Sequence, residues 1–185
     1  MKKVTKLLVL SQVTLMAPII LCVAIMPHFL FESNEGGMSN YGVHASTIVF
    51  YTLALLLSAI FLILASRALG QARDYQLIKT VFVITACSLL LVLITTYPYQ
   101  HSSTFSNIHT AANIWIFCFE TLAGCWVAFI FWRTTTSILL ILVQLLAFIL
   151  LVLTFLGVIH LLFVAQILTM VSFGLLLIMS TTKQD

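Results

Sequence analysis

Ile108–Trp132, IHTAANIWIFCFETLAGCWVAFIFW, decides how the chain is read. At 25 residues it exceeds the roughly 20 that a membrane-crossing helix needs, and Glu120 near its middle is the only acid within any apolar run. A helix turns about 100° per residue, so His109, Asn113 and Glu120 fall within roughly 40° of one another, with Gly124 about 60° from His109 on the same side. One face is polar and the rest is Ile, Trp, Phe, Leu, Val and Cys. A carboxyl group in hydrocarbon is costly, so this face should turn toward protein or a water-filled cavity. The helix is expected at the centre of a bundle.

Composition agrees. Hydrophobic residues make up 62% of the 185 and charged residues 7%, where soluble domains carry about 25% charged. Working outward gives an all-α, polytopic membrane bundle in one domain, 1–185, with spans at about 7–26, 44–66, 80–97, 108–132, 137–157 and 161–180. The first run is too long for a signal peptide and no A-x-A-like site follows it, so an uncleaved span is expected. Bulky Leu21 before Cys22 argues against lipoprotein cleavage. Pro18 should kink that span. Arg67–Lys79 reads as a charged connector and Tyr99–Asn107 as a polar loop, while Gly157 and His160 mark a tight hairpin. The Gly-rich stretch His28–Val43 is either a connecting loop or a re-entrant cap lining a cavity.

An even number of spans puts both termini on one side. Lys2, Lys3, Lys6, Arg67, Arg73, Lys79, Arg133 and Lys183 then share that side, which the positive-inside rule makes cytoplasmic in a multi-pass protein of the cell membrane. So placed, these few basic residues do not argue for nucleic acid. Glu32, Glu35 and all five histidines collect at the other face.

That face carries the candidate chemistry. His28, Glu32, Glu35, His44, His101 and His109 are candidate ligands for a divalent ion such as zinc, which could activate water. No H-x-x-x-H or H-E-x-x-H pattern fixes two of them on one helical face, and interfacial histidines commonly just form hydrogen bonds. The four cysteines lie in apolar runs without a C-x-x-C pair and read as small hydrophobes. Glu120 is either a neutral structural group or a proton-linked, ligand-contacting one. Gln12, Gln144 and Gln166 are amides placed to bond between helices, and Gly124 with Ala128 is a small-xxx-small pair suited to close packing.

Two short motifs carry a resemblance. Ser39-Asn40-Tyr41-Gly42 leads into the second span, and His109-Thr110-Ala111-Ala112 opens the fourth. With six spans, the chain resembles the bacterial membrane family called domain of unknown function 998, and it is similar to the wider Frag/DRAM/Sfk-like superfamily. Members often have Asp where this chain has Asn40. The resemblance implies the bacterial inner membrane and a role in lipid handling or membrane regulation, and supplies no catalytic residues. The pocket candidates are therefore Glu32, Glu35, Ser39, Asn40, Tyr41, His44, His101, His109, Asn113 and Glu120.

Three functions follow as expectations. The first is a lipid-associated protein of the bilayer, binding or regulatory, holding a lipid or small apolar ligand. The second is an intramembrane metal-dependent hydrolase or lipid-remodelling enzyme using the His/Glu cluster. The third is a proton-coupled transporter, which the absence of a visible repeat disfavours. The sequence sets no oligomeric state.

Overall fold

The computed structural model describes residues 2–28, 37–70, 73–98, 102–131 and 134–182. They form six helices: α1 (Lys2–Ile25), α2 (Ile48–Ala68), α3 (Arg73–Thr96), α4 (Ser103–Phe131), α5 (Thr135–Phe155) and α6 (Leu162–Thr182), with a short 3-10 turn at Met38–Gly42. Each of the six contains a stretch long and apolar enough to cross a membrane. No strand occurs among the described residues.

Helices α1, α3 and α4 are longer than their apolar runs. α3 begins at Arg73, inside the expected connector, and α4 at Ser103, inside the expected loop. Charge ends an apolar run, but Arg, Gln and Lys are good helix formers and do not end a helix. α2 begins later than expected, at Ile48, because Gly42–Thr47 is taken up in the turn before it. α5 starts at Thr135 because Thr134 caps it: Ser137 N–H donates to Thr134 Oγ1 at 3.4 Å and Thr134 N–H to Ser137 Oγ at 3.2 Å. α1 stays helical through Pro18. Between α5 and α6 the chain turns tightly at Gly157, whose φ of 71° suits a residue without Cβ.

α1 packs on α2 and α6, α2 on α3, α3 on α4, and α4 on α6, closing a ring; α5 lies outside it against α4 and α6. α5 touches its neighbours along one seam, Ser137, Gln144, Ala147 and Leu151, and presents Ile138, Leu139, Leu142 and Leu146 outward. The sequence pointed to α4 as the centre. α6 is the more enclosed: 56% of its apolar window is buried, against 50% for α4 and 17% for α5. Its buried face carries Gln166, Thr169, Met170, Phe173, Leu177 and Ser180, spaced three and four apart as one side of a helix requires.

The two ends of the ring differ. One carries the start of α1 and the end of α6, where the Thr5 and Thr181 hydroxyls meet at 3.1 Å. The other, the far end, receives the 3-10 turn, which packs on α2 and α3.

Candidate functional site

The site is built at the far end, from the 3-10 turn downward. Met38, Ser39, Tyr41 and Gly42 are all buried, so the turn closes the ring as a plug. Of the two readings of His28–Val43, the described part is the capping one. Gly37 enters the turn at φ 64°, and a Cβ there would lie 2.6 Å from Gln166 Oε1. The backbone must pass that close, because Met38 N–H donates to Gln166 Oε1 at 2.6 Å. Gly42 leaves the turn against Thr96 and the Tyr51 ring, which a Cβ would meet at 2.5 and 2.7 Å. Thr47 precedes α2 but does not cap it with its side chain; its hydroxyl donates to Tyr41 O at 2.7 Å, tying the plug to the helix behind it. Tyr41 is fully buried, edge-on to Phe163 with ring centroids 6.0 Å apart. Burial pushes its phenol pKa above the ordinary value.

The polar centre of the plug is a chain of three side chains. Ser39 Oγ lies 2.7 Å from His109 Nε2, and His109 Nδ1 lies 2.9 Å from Thr95 Oγ1. The Thr95 hydroxyl has one proton, and Leu91 O at 2.8 Å takes it. Its oxygen is therefore left to accept from Nδ1–H. In a neutral imidazole Nε2 then carries the lone pair and accepts from the Ser39 hydroxyl. The α3 carbonyls of Leu91 and Val92, at 2.8 and 3.1 Å from Thr95 Oγ1, thus orient the whole chain. That arrangement aims a base at a hydroxyl, as in nucleophile activation, although Ser39 is only 3% exposed.

The other sequence candidates separate. Asn113 donates to His109 O at 2.9 Å and lines a small space of about 10 Å³ beneath Ser39. His44 is half-buried, and its carbonyl accepts from the N–H groups of Thr47 and Ile48. Asn40 is half-buried in the plug, while His28 and His160 are exposed. Glu32, Glu35 and His101 lie outside the described residues. Among the described residues no three of His, Cys, Asp and Glu gather in a group that could hold a metal ion. Both ring nitrogens of His109, one of the six expected metal ligands, are engaged by hydroxyls.

Glu120 sits deeper, about eleven residues and roughly 16 Å along α4 from His109. It is 3% exposed, and its Oε2 is buried without a hydrogen-bond partner. Gln144 of α5 donates to Glu120 O, the backbone carbonyl, at 2.7 Å, and its own Oε1 has no partner. Gln144 lies directly against Gly124, so the Gly124–Ala128 pair does serve close packing.

Sequence reasoning missed Thr95 and Gln166 as members of the site. Gln166 is 128 positions from Met38, and no local pattern reveals such a pairing. No protein-family model, curated protein or solved structure matches the chain.

Proposed function

We propose that the chain is a multi-pass membrane protein with both termini cytoplasmic, and that it binds a lipid acyl chain in a binding or regulatory role. The supporting observation is a lateral groove of about 320 Å³ between α3 and α4, walled by Leu77, Val81, Ile84, Phe119, Leu122 and Trp126. Its size is at the lower end of the ~300–1,000 Å³ typical of ligand pockets. Leu77 and Leu122 at its rim are 59% and 72% exposed, so the groove opens onto the apolar outer belt where lipid chains would lie. Among the described residues, the space beneath Ser39 at the far end has room for little more than one water. The occupant this favours is a chain entering sideways, not a head group entering from the end.

Native mass spectrometry of protein purified in mild detergent tests this. Retained phospholipid, lost in Ala123→Trp, is expected; no retained lipid, or equal retention in the variant, contradicts it. Orientation is tested by single cysteines at Ser102 and Gly70 in a background lacking the native four. An impermeant reagent on intact cells should label Ser102 alone, and labelling of both ends the six-span arrangement.

A second reading rests on the 2.7 Å Ser39–His109 contact. In it, once the plug lifts, His109 Nε2 takes the Ser39 hydroxyl proton, the Ser39 oxygen is acylated by a lipid ester whose alcohol leaves with that proton, and water then releases the fatty acid. Ser39-dependent labelling by a fluorophosphonate would favour it, and unlabelled protein would remove it.

A further inference from the structure

One small interior cavity has more oxygen in its wall than the packing uses. It lies beside Glu120, between α1, α2, α3 and α6, and about 10 Å³ of it is open, room for roughly one water-sized particle. Gln12, Ser58 and Thr85 are the other polar side chains in its wall, and the rest is Leu, Met and Phe. Among the described residues, the cavity wall holds no Lys, Arg, His, Asp or second Glu. An ionised Glu120 thus has no counter-charge in that wall, and an unpaired charge in such a place is strongly unfavourable. Its buried Oε2 has no hydrogen-bond partner among the described residues.

The neighbouring oxygens are positioned and available. The Thr85 hydroxyl proton goes to Val81 O at 2.9 Å, which leaves lone pairs on the oxygen. Ser58 Oγ lies 2.8 Å from Ser11 Oγ and keeps acceptor capacity. Gln12 is held across the Gly174 backbone, where any Cβ would collide with its amide. The wall therefore offers neutral oxygens and one carboxyl group. Hard oxygen donors suit hard cations. A single negative charge balances one monovalent ion, whereas a divalent ion would leave a buried net charge.

We propose that Glu120, Gln12, Ser58 and Thr85 form a site for one sodium ion, which replaces the carboxyl proton of Glu120. The exchange conserves charge: the proton leaves to water as the ion enters. A second small space of the same size lies between this site and Ser39, and Leu89 and Met170 line both. Those two side chains are the partition, so the ion reaches Glu120 from the plug end when they move. The site is independent of the lipid groove, since the two share no lining residue.

The test is thermal unfolding of the purified full chain in detergent, titrated with sodium chloride against choline chloride at constant ionic strength and at several pH values. A saturable, sodium-specific rise in Tm is expected. Because one proton competes, its half-point should climb about tenfold per pH unit on the acid side. Glu120→Gln should abolish the rise, and Thr85→Val should shift the half-point several-fold upward. Absence of a sodium-specific rise in the unmutated protein overturns the proposal, as does a rise that persists in Glu120→Gln. Should that variant fail to fold, half-points unchanged in both Thr85→Val and Gln12→Leu overturn it equally.

Discussion

His109 and Glu120 stand on the same polar face of one helix and meet opposite circumstances. His109 has a hydroxyl on each ring nitrogen, and through Ser39 it holds the plug on the ring. Glu120 has a buried oxygen without a partner, and the nearby Thr121 Oγ1 and Gln144 Oε1 are unpartnered too. Buried polar groups are nearly always satisfied, because a stranded one costs its full desolvation. The hydrogen bonds of the upper half of the stripe are therefore accounted for. Those of the lower half are not, and such a residue is where function is to be sought.

Substitutions can break this contrast. The largest effect is expected from Glu120→Lys, which places an unpaired cation in the wall and should cost about 2.5–3.5 kcal/mol. If it unfolds like the unmutated chain in the same detergent, Glu120 reaches water and the interior assignment fails. Ser39→Ala removes the donor to His109 Nε2 and strands a buried acceptor, for a loss of about 2 kcal/mol by chemical unfolding. Gln166→Leu strands Met38 N–H and should cost about 1–2 kcal/mol, with faster proteolysis in the plug as a local readout. Thr5→Val at the opposite end removes one half-buried hydroxyl pair and should cost under about 1 kcal/mol. A Thr5 effect as large as that of Ser39 would mean that the plug is no better anchored than the helix ends.

The architecture was legible because membrane-length apolar runs leave little choice of structure. Even so, Arg73–Lys79 and Ser103–Asn107 were read as connections, since an apolar run marks where lipid contact ends, not where backbone hydrogen bonding ends. The prominence of α6 was written in Gln166, Thr169, Phe173, Leu177 and Ser180 at helical spacing, but Glu120 drew attention to α4 instead. Ser39 and His109 were each singled out; their contact was not, because it depends on where the ring places the start of α4 beneath the turn. Thr95 was invisible for a different reason. A threonine in the last turn of an apolar helix ordinarily bonds its own backbone, as this one does, and only its spare lone pair reaches His109.

The most direct test makes one substitution at both ends of the stripe. Glutamine at position 120 offers an amide where a carboxyl has an unused oxygen; glutamine at position 109 cannot span both Ser39 and Thr95. Thermal unfolding of Glu120→Gln and His109→Gln, side by side in sodium-free detergent buffer, should leave the first at or above the unmutated Tm and the second clearly below it, by the equivalent of about 1–3 kcal/mol. Equal losses, or a greater loss for Glu120→Gln, would mean that the Glu120 carboxyl is already fully used in holding the bundle together.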